Sequence, residues 1–253
     1  MRCRSLIARV SSAILALSAF AFAAKRGNHD LPEKYRTSPY TLMSLSVGAP
    51  SHGWQLRAKK LRPSSHLFIK PSSRAHVYGH PALVLMLERS AKQMARDAPG
   101  SRLLVGDLSS EDGGPLTKHH SHQSGRDADV GFFVTDSRGK PRQVTNFVAM
   151  DRAGNARDGS GYRFDDYRNW LLVQLWMKDT RAKIMYVFVA SHLRRRLLDF
   201  AASRPAFSKY VEQASTFLRQ PNNSSAHDDH FHVRIACPDG QEPLCVQHVA
   251  VSD

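Results

Sequence analysis

Apolar side chains along the chain alternate between the spacing of an amphipathic helix and short runs typical of strands. The clearest helical pattern places Leu83, Leu87 and Ala91 on one face, with Pro81 suited to the first turn. The helical spacing predicts helices over residues 81–96, 167–177, 192–202 and 206–219. The apolar runs predict strands over residues 66–69, 102–108, 128–135, 183–190 and 230–235.

The order of these elements indicates a single α+β domain. Helices and strands interleave, but the connections are irregular, and turns such as 136–140 are short enough to join hairpin strands. Residues 46–73 are rich in glycine, proline and serine, and we expect irregular structure there apart from the strand at 66–69. We therefore expect a small, mostly antiparallel sheet flanked by helices.

The first 24 residues have the layout of a secretory signal peptide. A short basic start with Arg2, Arg4 and Arg9 precedes an apolar run over 10–24 that ends in Ala-x-Ala sequences. An N-terminal membrane anchor is the alternative, but the run is shorter than the roughly 20 residues of a spanning helix. We expect residues 1–24 to be removed, 25–44 to be a flexible lead-in and 45–253 to form the domain. The mature protein is then expected in the periplasm or outside the cell.

The net charge of +14 favours an acidic partner: nucleic acid, an anionic membrane face or an acidic cell-wall polymer. The signal peptide and the lack of a familiar DNA- or RNA-binding motif argue against nucleic acid. No second stretch is apolar enough to span a membrane, so no stable membrane insertion is expected after signal removal. A basic group could face solvent or touch an acidic substrate; it consists of Arg57, Lys59, Lys60 and Arg62.

Two cysteines remain once Cys3 is removed with the signal peptide. Cys237 and Cys245 flank a loop with proline and glycine, and in an oxidising compartment we expect them to form a disulfide. A two-cysteine metal site is the alternative, but it lacks the CxxC spacing and a second pair.

Six of the 13 histidines lie in two short stretches, 119–130 and 227–233, that are also rich in aspartate. Alternate residues of a strand share a face, so His230 and His232 would project together while Phe231 turns to the core. Two histidines and an aspartate would leave an open position for water, as catalytic zinc requires. We predict that the two stretches meet and hold one catalytic metal.

These residues also allow other interpretations. A loop histidine can simply be solvated, and a His-x-His pair can arise by chance. Ser137 and Lys140 match the S-x-x-K pattern of penicillin-binding enzymes, but they lie in a predicted turn and the companion motifs are missing. HExxH is also missing, so a zincin helix is excluded.

The paired motifs SHQSGRDADV and HDDHFHVR resemble those of the penicillin-insensitive murein endopeptidases, within the wider lysostaphin, D-Ala-D-Ala-peptidase and hedgehog-like metallopeptidase group. The segments YGHPALVLMLER, GDLSSEDGGP and VFVASHLRRRLL also resemble that family, and the likeness covers most of residues 45–245. The resemblance implies the metallopeptidase core of that wider group.

The resemblance also implies roles for individual residues. His122, Asp129 and His232 would bind Zn²⁺, and His119 would approach the metal. His230 would be the catalytic histidine and His227 its assistant, with Asp229 an alternative base. The family has been associated with a second metal near the start of the helix at 167–177, where Asp165 and Asp166 have no histidine beside them.

The implied reaction is hydrolysis of D-alanyl cross-links between peptidoglycan stem peptides. No serine is acylated in it, so penicillin would not inhibit it, and peptidoglycan is the expected partner. One alternative is a D-Ala-D-Ala carboxypeptidase or dipeptidase of the same group. Another is a zinc-containing cell-wall-binding module without activity.

Overall fold

The computed structural model describes residues 26–117, 119–220 and 227–247, which fall into two compact units divided between Thr41 and Leu42. The predicted signal peptide lies outside the described residues. The first unit contains 3₁₀ helices at Asn28–Asp30 and Glu33–Arg36, and the Arg36 guanidinium donates to the carbonyls of His29 and Leu31. A third 3₁₀ helix, Tyr40–Leu42, crosses the boundary between the units.

The second unit contains thirteen strands and five α-helices in its described part. The strands are β1 (Leu45–Ala49), β2 (His52–Leu56), β3 (Lys59–Lys60), β4 (Leu67–Ile69), β5 (Tyr78–Gly79), β6 (Leu103–Val105), β7 (Asp127–Gly131), β8 (Val134–Thr135), β9 (Pro141–Arg142), β10 (Arg163–Phe164), β11 (Ile184–Phe188), β12 (Leu218–Arg219) and β13 (His230–Ile235). The helices are α1 (Pro81–Asp97), α2 (Asp166–Lys178), α3 (Ser191–Ala202), α4 (Pro205–Ser208) and α5 (Val211–Phe217), with a 3₁₀ turn at Pro71–Ser73. Across the described ranges, every helix is too short or too polar to cross a bilayer.

A six-stranded sheet in the order β12-β11-β13-β7-β6-β4 forms the centre. The pairings β11–β13, β13–β7 and β7–β6 are antiparallel, whereas the outer pairings with β12 and β4 are parallel. Smaller sheets are formed by β1–β2, by β3–β5 and by β10-β8-β9. This architecture confirms the predicted α+β class with a mostly antiparallel sheet.

The core lies between the sheet and the apolar faces of the helices. Phe231 of β13 is fully buried, with its ring centroid 4.8 Å from that of Phe132 and 5.6 Å from that of Trp176 in α2. The Trp176 indole N–H donates to Ser90 Oγ of α1, so the polar end of this large side chain is also satisfied. The predicted inward orientation of Phe231 is therefore confirmed.

The helix predicted over 206–219 is wrong, because it is broken into α4, α5 and β12. Leu218 and Arg219 are extended and pair in parallel with Val187 and Phe188 of β11. The edge of the sheet thus draws the end of this helical pattern into a strand, which shows tertiary pairing overriding local periodicity.

Two further stretches differ from the prediction. Residues 46–56 were expected to be irregular but contribute to the β1–β2 hairpin, whose Gly48 also pairs with Cys245. The single strand predicted over 128–135 is divided into β7 and β8. At the break, the Asn169 side-chain amide forms hydrogen bonds of 2.9 Å with both the N–H and the carbonyl oxygen of Phe133, so the Phe133 N–H is not available to a neighbouring strand. Neither the pairing of Gly48 with Cys245 nor the hydrogen bonds of Asn169 to Phe133 produce a periodic pattern in the sequence.

The predicted disulfide between Cys237 and Cys245 is present, with an S–S distance of 2.07 Å. The fully buried Arg126 donates to Val246 O at 2.7 Å and to Gly48 O at 3.3 Å, so it joins the disulfide loop to β1. Burial lowers the pKa of Arg126 to about 10, and the side chain stays protonated at neutral pH.

We predict that Phe231→Ala destabilises the domain by roughly 3–5 kcal/mol, because a fully buried aromatic ring is lost from a packed core. Leu85→Ala is the control, since Leu85 is 42% exposed on α1. We expect it to cost about 0.5 kcal/mol or less. Urea denaturation measures both, and a similar small loss for the two variants would contradict the assigned core.

Candidate metal centre

The two histidine-rich stretches meet through the antiparallel pairing of β7 with β13. In this register His232 lies opposite Asp129, and His230 lies opposite Gly131. Alternate residues of a strand share a face, so His230 and His232 point to the same side as Asp129. The pairing brings together side chains that are about a hundred positions apart in the chain.

His122 reaches the same place from the loop before β7. Its φ of 69° is left-handed, a conformation that a non-glycine residue adopts only when its surroundings hold it. The His122 ring Nδ1 lies 2.6 Å from the carbonyl oxygen of Leu108, and its backbone N–H donates to Asp127. These contacts direct the opposite ring nitrogen, Nε2, at Asp129.

The Asp129 carboxylate is the centre of the cluster. Its Oδ1 lies 3.3 Å from His122 Nε2, 3.2 Å from His232 Nδ1 and 3.4 Å from His230 Nε2. Its Oδ2 lies 3.9 Å from His119 Nδ1. Burial favours the neutral acid, but the charges of His122 and His230 outweigh burial and hold the pKa of Asp129 well below its usual range.

The donor set suits a metal ion. Ligand atoms of His119, His122 and Asp129 all lie within 4.8 Å of one another. His122 Nε2 and Asp129 Oδ1 are buried, and neither has a hydrogen bond to any described residue. Buried polar atoms are normally satisfied, so a cation that takes nitrogen and oxygen ligands fits this position.

Two carboxylates hold the outer sides of the imidazoles. Asp127 is fully buried, with Oδ1 2.8 Å from His232 Nε2 and 2.5 Å from Arg234 Nε. Burial would raise the pKa of Asp127, but the Arg234 charge lowers it well below the usual range. Asp107 bridges His119 Nε2 and His76 Nδ1, each at 3.1 Å. Metal-binding histidines are commonly oriented by such outer carboxylates.

His230 is held on several sides. Phe147 stacks on its ring with centroids 4.8 Å apart, and Asp229 Oδ1 lies 2.5 Å from His230 Nδ1. Burial would lower the pKa of His230, but the charge of Asp129 and the hydrogen bond to Asp229 raise it to about 10. His227 is buried beside it, with ring centroids 5.3 Å apart.

These groups line a cleft of about 530 Å³. Several aspartates line the cleft. Lys70 also lines it, with its Nζ 4.8 Å from the centroid of the Phe147 ring. Its lining includes His76, Asp107, His119, Asp129, Asp228, Asp229, His227, His230 and His232. The cleft combines candidate ligands with histidines suited to proton transfer.

The structure places all six predicted site residues together: His119, His122, Asp129, His227, His230 and His232. His120 is exposed. Asp127 accepts from the His122 N–H of the loop, and its closer partners are His232 and Arg234. Asp107, His76 and Phe147 were not anticipated. Only Asp107 had a signal, because it is the single acid within the apolar run predicted as a strand over 102–108.

The two aspartates at the start of α2 already have arginine partners. Asp165 caps the helix by accepting from Arg168 N, and its other oxygen lies 3.0 Å from Arg168 Nη1. Asp166 pairs with Arg196 through two contacts of 2.6 Å. Their carboxylates are occupied structurally, which does not favour a second metal there.

Comparisons with protein families and with curated proteins both point to one family. The sequence profile of the penicillin-insensitive murein endopeptidases matches residues 46–253. The chain belongs to the penicillin-insensitive murein endopeptidase family. Proteins of that name from Escherichia coli O139:H28 (strain E24377A / ETEC), Escherichia coli (strain K12 / DH10B) and Shigella boydii serotype 18 are each 26% identical over 205 residues. These alignments cover 80% of this chain and 70% of each relative.

The penicillin-insensitive murein endopeptidase profile includes both histidine stretches, the cleft and the disulfide loop. The match therefore covers every residue assigned to the metal centre.

We predict that Asp127→Asn weakens metal binding by about ten- to a hundredfold, because His232 loses its charged acceptor and Arg234 its buried counter-ion. Competition with a chelator measures the affinity. Asp158→Asn is the matched control, since Asp158 is exposed in a loop and should leave affinity unchanged. Equal affinities for both variants would contradict the orienting role of Asp127.

Proposed function

We propose that the protein is a zinc-dependent murein endopeptidase that hydrolyses D-alanyl cross-links between peptidoglycan stem peptides. The observation that carries this proposal is the Asp129 cluster, with four imidazoles converging on one buried carboxylate in an open cleft. Membership of the family and the names of its relatives support the same activity.

His122, Asp129 and His232 would hold the zinc ion, with His119 as an additional ligand. When bound, zinc polarises a carbonyl group and lowers the pKa of a water molecule toward about 7. Asp127 and Asp107 would orient the histidine ligands through the hydrogen bonds described above. The unsatisfied His122 Nε2 and Asp129 Oδ1 support this assignment.

His230 is the proposed catalytic residue, as base or as stabiliser of the transition state. Its Nδ1 is held by Asp229 and its ring by Phe147, so Nε2 is left to hold or donate a proton beside Asp129. Asp229 then orients His230 rather than taking the proton itself. His227 would assist from the neighbouring wall of the cleft.

The proposal extends to the context of the enzyme. Residues 1–24 would be removed, 25–44 would be a lead-in, and 45–253 would form a metallopeptidase domain with the core of the lysostaphin and D-Ala-D-Ala-peptidase group. The protein would act in the periplasm or outside the cell, with peptidoglycan rather than nucleic acid as its partner. The disulfide supports an oxidising compartment.

We predict that the zinc-loaded mature protein converts cross-linked muropeptide dimers to monomers, and that a chelator stops the reaction. Penicillin should have no effect, because no serine is acylated. Mass spectrometry of digested sacculi measures the products. Release of D-alanine from uncross-linked stems with dimers left intact would instead indicate a carboxypeptidase. Binding to sacculi without any cleavage would indicate a wall-binding module.

We predict that His122→Ala abolishes bound zinc, whereas His230→Ala retains zinc and loses cleavage. The first variant removes a ligand, and the second removes a group that the proposal assigns to proton transfer. Elemental analysis and dimer cleavage are measured on the same preparations. His120→Ala is the control, because this exposed neighbour should retain both properties. Unchanged zinc stoichiometry in His122→Ala would refute the ligand assignment.

A further inference from the structure

A second cavity, of about 680 Å³, adjoins the catalytic cleft. Three arginines line it, Arg152, Arg157 and Arg195, together with His192 and Asp228. Asp228 also lines the catalytic cleft, so the two cavities share a wall. Asp228, which forms that wall, lies between His227 and the pair Asp229 and His230 in the sequence.

Asp228 is held in place through both its backbone carbonyl and its side-chain carboxylate. The carbonyl of Asp228 accepts from Met150 N at 2.8 Å, and Asp228 Oδ2 lies 3.0 Å from Arg157 Nη1. His192 Nε2 lies 3.2 Å from the Met150 carbonyl oxygen, which ties α3 to the same loop. Asp228 thus forms its ion pair with Arg157 and does not neutralise the charges of Arg152 and Arg195.

The guanidinium groups of Arg152 and Arg195 have no hydrogen bond or ion pair with any residue in the described ranges, and both side chains are exposed. Arg195 differs in this from its neighbours in α3. Arg194 donates to the carbonyls of Leu218 and Ser215, and Arg196 pairs with Asp166. Of three consecutive arginines, the outer two stabilise the fold, and the middle one faces the cavity.

The cavity therefore carries an excess of positive charge next to a cleft rich in acids. An isolated exposed arginine is commonly only solvated, but here three converge in one concave site. The Ser191 N–H at the start of α3 is not available to an anion, because it already donates to Gln220 Oε1 at 2.5 Å. The guanidinium groups are the side chains of this lining best suited to bind an anion.

We propose that this basic cavity binds a free carboxylate of the peptidoglycan stem peptide whose cross-link lies in the adjoining cleft. The inference rests on the proposed function and adds a specificity determinant to it. Guanidinium groups bind carboxylates through paired hydrogen bonds, and a carboxamide of the same shape offers neither the charge nor the second acceptor. Arg152 and Arg195 would make these contacts, and Arg157 would hold the wall through Asp228.

The test compares muropeptide dimers whose stem carboxylates beside the cross-link are free with dimers in which these groups are amidated. We expect the wild-type protein to cleave the free form with a kcat/KM about tenfold higher, the effect of one charge-assisted hydrogen-bonding group. Arg195→Gln and Arg152→Gln should each lose most of this preference by slowing cleavage of the free form alone. Their cleavage of the amidated form should change less than that of the free form, and their zinc content should equal that of the wild type.

Arg181→Gln is the matched control, because it removes the same charge from an exposed turn between α2 and β11 and should keep the full preference. Equal cleavage of both dimers by the wild type would overturn the carboxylate site while leaving the endopeptidase intact. Loss of preference in Arg181→Gln as well would attribute the effect to net charge and would also overturn it. Failure to cleave either dimer would instead refute the proposed function.

Discussion

The register between β7 and β13 is the constraint on which the rest of the site depends. It sets Asp129 opposite His232, Gly131 opposite His230 and Asp127 opposite Arg234. A shift of one residue would turn the β13 histidines to the other face and bring Phe231 out of the core. The buried contacts of Phe231 therefore preserve the candidate metal centre without touching it, because its burial against Phe132 and Trp176 selects this register.

Three cross-strand pairs follow one another on this face of the sheet, and each has a distinct consequence. At Asp127 and Arg234 the charges neutralise each other in a buried site, where an unpaired charge would be costly. At Asp129 the carboxylate faces more imidazoles than it can satisfy, which leaves ligand atoms for a cation. At Gly131 the missing side chain leaves room for Leu104 and Phe147, since a Cβ there would lie 2.8 Å from Leu104 and 3.1 Å from the Phe147 ring.

The parts of the site that the sequence predicted are those encoded within one strand or one loop. The His-x-His spacing on a strand fixes the shared face of His230 and His232, and the apolar Phe231 between them fixes the opposite one. Asp107, His76 and Phe147 come from three other segments, and only the folded chain shows that they meet the histidines. The same distinction explains why the helix predicted over 206–219 is wrong. Its last residues form a strand because Leu218 pairs with Val187, which the local helical pattern does not show.

The positive charge of the chain is also divided unevenly by the fold. Four aspartates and one lysine line the catalytic cleft beside its histidines, although the chain as a whole carries +14. A ligand bearing carboxylates is repelled by such a lining unless cations lie close by, because charges in a partly desolvated cleft are weakly screened. Lys70 supplies one cation on the side of Phe147, and the arginine-lined cavity supplies the excess on the side of Asp228. The acids that suit the cleft to a metal are thus flanked by the cations that an anionic polymer requires.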